Sequence, residues 1–409
     1  MRLRQGWLLA GICALALSAG TAHAATEIRV VVAHYSDATA PIFEGMAKDF
    51  EHAHPDVKIR VEDVSWDNLQ QRLTTDIAGG TPPDLAIVGT RWLLDYASQD
   101  VAEPLDSYMT QEFKDRFIGD FLKPSVINGK TYGLPVAASV RSMFYNKDLL
   151  AKAGVNGPPA TWDDFLAAAK SVKAKSGGAY AFGLQGKELE TDVYWYYALW
   201  TMGGNLIENG KSGIASPAGI KAATLYKELI DEGLTQPEPT GANRQDVESL
   251  FKQGRAAMIF TGPYMRGQIA KEAPTLNYGI APIPKGTTAA TYGVTDSIVL
   301  FKDSSHKDVA WKFLEEQAFS PKWRTEFTLK EGFLPITKAE AADPTFANDP
   351  GLKALTALLP SARFAPLIPN WEEMADATMA ALQQIYLGDA KPEDALKSAA
   401  DKIDGLIKP

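Results

Sequence analysis

Two hydrophobic rhythms alternate along the first part of this chain. Residues 28–33 form an apolar run broken only by Arg29, the pattern of a strand buried on both faces. Residues 41–52 then carry Ile42, Phe43, Met46 and Phe50 at helical spacing. Residues 57–64 return to a strand, in which Lys58, Arg60 and Glu62 alternate with apolar positions. Ser65 can cap a helix that stops at Gly79-Gly80, and Pro82-Pro83 leads into a strand at 84–88. A β-α-β-α-β order predicts a parallel sheet with right-handed crossovers.

Further along, Pro135 leads an extended stretch that runs to Tyr145. Asn146 can cap a short helix, Gly154 can end it, and Gly157-Pro158-Pro159 forces a turn. Thr161 with Asp164 three residues on has the spacing of a capping box. The remaining chain reads as helix-rich, with strands at 256–261, 278–283 and 297–301. It contains no internal repeat, low-complexity tract or long charged tail.

The N-terminus reads as a secretory signal over residues 1–24. Arg2 and Arg4 head an apolar core at 7–17, and Ala22-His23-Ala24 is a small-x-small cleavage site. The apolar run is interrupted before the roughly 20 residues that a membrane span needs. Cys13, the only cysteine, follows Ile12 inside that core, which disfavours a lipoprotein. The expected mature chain therefore starts near Ala25, soluble in the periplasm and without disulfides. Of 41 basic and 50 acidic residues the signal removes two arginines, leaving a net charge of −11. That balance argues against nucleic acid or an anionic membrane as partner. A chain of about 385 residues exceeds one usual core, so two lobes are expected.

The segment GLPVAASVRSMFYNKDLLAKAGVNGPPATWDDF, residues 133–165, resembles the crossing strand of periplasmic sugar-binding proteins that serve ABC transporters (extracellular solute-binding protein family 1). Five further segments resemble the same family in the same order. They are WDNLQQRLTTDIAGGTPPDLAIVG at 66–89, QGRAAMIFTGPY at 253–264, NYGIAPIPKG at 277–286, HKDVAWKFLEEQ at 306–317 and GFLPIT at 332–337. The resemblance spans nearly the whole chain. It implies an α/β, two-lobed periplasmic binding protein fold with hinge crossovers and an inter-lobe ligand cleft. Residues 25–134 and 294–332 would form the N-terminal lobe, and residues 135–293 and 333–409 the C-terminal lobe.

A sugar presents hydroxyls, which need paired donors and acceptors, and apolar C–H faces, which pack on aromatic rings. Such groups belong on loops at the carboxyl ends of strands. The candidates there are His34, Tyr35 and Ser36, then Gly89, Thr90 and Arg91, and Tyr264 after a Gly-Pro turn. The hinge adds Ser139 and Arg141, and Gly293, Thr295 and Asp296 add polar groups and backbone amides. Trp66 either lines the cleft or packs within a lobe. Trp195, Tyr196, Tyr197 and Trp200 share one helix and belong mostly to a core, with Trp195 the candidate among them. Arg363 lies in SARFAP, which resembles a ligand-binding arginine segment; its rival role is an inter-lobe salt bridge. His52 and His54 read as a solvated turn rather than a metal pair.

Many relatives carry an acid where this chain has Ser139, and often another near Gly89. Their absence, with arginines at 91, 141 and 363, tilts the cleft toward a ligand with an anionic group. Catalytic motifs are missing: GGNLIENGKS at 203–212 fails phosphate-loop spacing, and GxGxxG, GxSxG and HExxH do not occur. Tyr196-Tyr197 cannot hold iron as a pair, because helical neighbours diverge by roughly 100°. The expected function is therefore non-enzymatic, with no cofactor and no metal. A monomer would capture a carbohydrate or polyol derivative and deliver it to ABC permease subunits. The alternatives are a binding protein for a phosphorylated or sulfonated sugar, or a secreted carbohydrate-active enzyme with two carboxylates across a cleft.

Overall fold

The computed structural model describes residues 25–187 and 190–407, so the expected signal segment lies outside the described residues. The first lobe opens with the expected order: strand Thr26–Ala33, helix Thr39–Ala53, strand Val57–Val64, helix Trp66–Ala78 and strand Leu85–Gly89. The first strand lies between the other two and is parallel to both, with Ile28 opposite Ile59 and Val30 opposite Leu85. Arg29 is accommodated because its side chain leaves the sheet to meet Glu62 at 3.0 Å and Asp76. Ser65 stands at the expected cap position, but its hydroxyl accepts from the Asn68 side chain instead of a backbone amide.

Strand Thr291–Leu300 continues this sheet, antiparallel to Leu85–Gly89. It begins six residues before the expected position because its early residues pair across the hinge. The crossing strand Leu134–Val140 lies antiparallel against it. The second lobe holds a sheet in the order Tyr278–Ala281, Ser142–Asn146, Ala256–Thr261, Tyr180–Phe182. Its faces enter different clusters: Met143, Met258 and Phe260 join the main core, while Phe144 and Ile259 join a smaller one under helix Arg244–Lys252. Asn146 and Thr161 cap their helices as expected, accepting from Leu149 and Asp164 amides respectively. Among the described residues no helix is long and apolar enough to cross a membrane.

The buried side chains redraw two expected lobe boundaries. Val136, Ala137, Ala138 and Val140 belong to the first core, so the first crossing falls at Arg141 and not at 134/135. Phe333, Leu334, Ile336, Phe346, Leu352 and Leu355 also belong to the first core. The last crossing therefore lies between Leu358 and Trp371, which joins the second core, and not at 332/333.

A buried ion pair ties these segments together. Arg324 Nη2 lies 3.1 Å from Glu340 Oε1, and the two side chains are 3% and 2% exposed. Arg324 also donates to the Val136 carbonyl at 2.9 Å, tying helix Pro321–Glu331 to the crossing strand. Thr328 and Thr337 hydroxyls donate to Glu340 at 2.6 and 2.7 Å, and the Thr337 amide donates at 2.9 Å. Burial works against the Glu340 carboxylate, but Arg324 and these donors hold its pKa below the usual range. Removing one partner of such a pair leaves an uncompensated buried charge. Glu340→Ala should therefore lower stability by about 3–5 kcal/mol in urea unfolding followed by circular dichroism. A loss within the error of the extrapolation would show that the pair does not hold this segment.

Candidate ligand cleft

Several chain segments converge where the lobes meet. After the first strand, the Tyr35 and Ser36 amides both donate to Thr39 Oγ1 at 3.1 Å, which fixes the turn into the first helix. Tyr35 is half-buried, and its hydroxyl donates to Asp296 Oδ2 at 2.9 Å. Its ring meets Trp66 edge-on at 5.8 Å, and Trp66 in turn meets Trp92 at 6.1 Å. The half-buried rings of Tyr35 and Trp66, backed by the buried Trp92, give the first-lobe wall an apolar face.

The turn after Leu85–Gly89 supplies Arg91. Its Nε lies 2.8 Å from Glu372 Oε1, and the Trp92 indole donates to the same oxygen at 3.1 Å. Glu372 sits in the first turn of helix Trp371–Leu387. Burial raises its pKa, partly opposed by Arg91.

Arg141 stands at the hinge, 3% exposed. It donates to Ser139 Oγ at 3.1 Å and to Glu190 Oε1 at 3.1 Å. Arg244 takes the other oxygen of Glu190 at 2.8 Å. Burial would push the Glu190 carboxyl up, but Arg244, Arg141 and Arg91 together hold it below its usual range. Both guanidiniums lie over the Tyr264 ring, Arg141 5.8 Å and Arg244 5.5 Å from its centroid. Gly262 makes this possible. A Cβ there would fall 2.3 Å from Tyr264 Cε1 and 2.9 Å from Arg141 Nη1.

Asp192 opens the aromatic helix Thr191–Thr201 and is fully buried. Burial raises its pKa to about 7, against the pull of Arg91. Asp296 reaches about 7 for the same reason, against the Tyr35 hydrogen bond. Among the described residues, Asp192 Oδ2, Glu372 Oε2, the Tyr292 hydroxyl and Arg141 Nε are buried without a hydrogen-bond partner.

Of the expected site residues, Tyr35, Trp66, Arg91, Ser139, Arg141, Tyr264 and Asp296 fall in this region. His34 does not: it is exposed and pairs with Asp63 at 2.8 Å on the lobe surface. Ser36 accepts from the Ala38 amide at 3.0 Å and serves the turn. Thr90 is spent on a buried bond of 2.7 Å to Ser297, directly after Gly89. Thr295 is buried within its strand, and Gly293 is covered by the Phe364 ring. Trp195 is a core residue, 3.4 Å from where Gly219 would carry a Cβ. Arg363 donates to Asn205 Oδ1 at 3.0 Å and lies over Trp200, which stacks on Tyr292 at 5.5 Å. Its partner is thus a neutral amide, not an inter-lobe acid.

Sequence reasoning missed Glu190, Asp192, Arg244 and Glu372. Only Asp192 had a visible signal, as the sole charge in an otherwise apolar and aromatic helix. Among the described residues no group of three His, Cys, Asp or Glu side chains could hold a metal ion. Two shallow grooves on the second lobe, along residues 155–171 and 236–255, share no residue with the cleft cluster.

The raised pKa of Asp192 has a definite sign for stability. The folded protein binds this proton more tightly than the unfolded chain, so the group favours folding at low pH. That contribution is lost as pH rises from about 4 through about 7. Asp192→Asn should therefore unfold at higher temperature than the parent at pH 8, and about equally at pH 4. The expected gap at pH 8 is on the order of a few kcal/mol. Equal melting curves at pH 8 would show that Asp192 is better solvated than its burial indicates.

Comparison with known proteins bears on the family and the fold. The profile of the bacterial extracellular solute-binding protein family matches residues 36–319. A protein of Brucella abortus (strain 2308), named only as a binding protein, is 53% identical over 411 residues, covering 100% of this chain and 99% of that one. The maltotriose-binding protein of Pyrococcus abyssi is 26% identical over 362 residues, covering 86% of this chain and 76% of that one. An ABC transporter solute binding protein of Thermotoga lettingae, solved with alpha-D-tagatose, superimposes with a TM-score of 0.86. It is 24% identical and covers 94% of this chain and 100% of its own. The chain belongs to the family of bacterial extracellular solute-binding proteins.

Proposed function

We propose that the protein captures a neutral carbohydrate between its lobes, without chemical turnover, and presents it to the permease subunits of an ABC importer. The observation that carries this reading is the internal matching of the cleft arginines. Arg91 is met by Glu372, Arg141 and Arg244 by Glu190, and Arg363 by Asn205. Each of these guanidiniums is already engaged by a group of this chain, which weighs against the anionic reading drawn from the arginine count. What remains suits a polyol: carboxylate oxygens held by arginines, unpartnered hydroxyl and carboxylate atoms, and the rings of Tyr35, Trp66 and Tyr264. The named relatives above are binding proteins, one of them for maltotriose, which supports the same class.

A thermal-shift screen of neutral mono- and oligosaccharides against sugar acids and sugar phosphates tests this directly. For a dissociation constant of about 1 μM, saturation at about 100 times that value should stabilise the fold by about 2.7 kcal/mol. Stabilisation by anionic sugars alone would overturn the neutral reading. Release of product from any glycan tested would overturn the non-enzymatic one.

Glu190→Gln separates the two ligand classes further. It leaves Arg141 and Arg244 without their shared counter-ion. Affinity for the neutral sugar found in the screen should fall by about tenfold or more, since hydrogen bonds to charged groups are worth about 1.5–3 kcal/mol. The corresponding sugar acid should gain affinity. Calorimetry showing unchanged binding of both would remove Glu190 from the site.

A further inference from the structure

All three crossings between the lobes meet in one ribbon. Gly293 and Val294 of the strand Thr291–Leu300 pair with Val140 and Ser139, while Thr291 and Tyr292 pair with Ala362 and Arg363. The Arg141 amide adds a bond of 3.0 Å to the Tyr292 carbonyl. Rotation of one lobe against the other must twist these strands together. Near their centre the ring of Phe364 rests on Gly293, where a Cβ would fall 2.7 Å from ring atoms Cε1 and Cζ. Gly293 does not have a positive φ, so its backbone does not demand glycine. What the missing side chain provides is room for the ring. Phe364 packs against the first core, whereas the next residue, Ala365, packs against the second. The contact therefore sits at the boundary between the two bodies.

We propose that Phe364 is a positioning residue, whose ring on the bare backbone of Gly293 acts as a stop that sets the angle between the lobes. A planar ring at van der Waals contact with backbone cannot be compressed, so the last crossing cannot approach the strand any closer. Enlarging position 293 forces the ring away, and removing the ring releases the stop. Both changes act on lobe geometry without touching the cleft rings or its charges.

The test needs no ligand and is independent of the proposed function. Asp37 and Lys271 face each other across the lobes, with Nζ 3.2 Å from Oδ2, and are 88% and 71% exposed. Spin labels on Asp37→Cys and Lys271→Cys report the inter-lobe distance, since the one cysteine of the sequence, Cys13, lies ahead of the expected mature start near Ala25. Gly293→Ala and Phe364→Ala should each move the distance peak. The double variant should move it back toward the parent, because the new methyl enters space that the ring has left. Phe364→Leu, which keeps bulk at the contact, should stay nearer the parent than Phe364→Ala. An unmoved peak in Phe364→Ala, or a peak in Phe364→Leu displaced as far as in Phe364→Ala, overturns the proposal. Phe364→Ala introduces no clash, so it decides the matter even if Gly293→Ala fails to fold.

Discussion

The strand Thr291–Leu300 has to satisfy its hydrogen bonds in two bodies at once. Its later residues pair with Leu85–Gly89 and Leu134–Val140 inside the first lobe, while Tyr292 is already part of the second core. Its polar residues follow from that span. Ser297 is used internally by Thr90 and Ser125, whereas Asp296, one position earlier, meets Tyr35 at the cleft. The buried Arg324–Glu340 pair then holds the crossing strand and the segment after Gly332 to the same body. Without those two constraints, the cleft residues would belong to segments with no fixed relation to one another.

The electrostatics of the cleft divide into a matched part and an unmatched part. Burying an arginine near a carboxylate is tolerable when each oxygen has a donor, and Glu190 meets that condition with one guanidinium on each oxygen. Asp192 and Asp296 do not. Burial outweighs the donors they have, and both are pushed up to about 7. Groups that weaken the fold at neutral pH, yet lie beside Arg91 and Tyr35, fit a site whose polar atoms are completed from outside the chain. The rest of the two cores supplies the stability that this arrangement withholds.

The first lobe was legible because its strands and helices differ in period and are punctuated by Gly79-Gly80 and Pro82-Pro83. The last boundary was not, since Phe333 to Ile336 would read as the same apolar run whichever core received it. What assigns it is packing against the first core, reinforced by an ion pair between residues 324 and 340, and no local pattern announces contacts of that kind. Trp195 illustrates a second limit. Every residue of its helix is buried, so periodicity offers no polar face against which to orient the aromatic ones. Glu190 and Arg244 were invisible for the opposite reason, because charged residues flanking helices ordinarily face solvent.

Arg141 joins these threads, since its main chain and side chain serve different parts of the molecule. The amide donates to the Tyr292 carbonyl, and its own carbonyl accepts from the Thr291 hydroxyl, so the backbone belongs to the hinge. The guanidinium reaches Ser139, Glu190 and the face of Tyr264, so the side chain belongs to the cleft. Lysine could not replace it. A single ammonium has no fork to span a hydroxyl and a carboxylate, and no planar face to lay against a ring. A force on Glu190 or Tyr264 is therefore one side chain away from the backbone about which the lobes turn. On the proposed reading, coupling between ligand contact and lobe angle needs no long relay, because Arg141 is part of both the crossing backbone and the cleft.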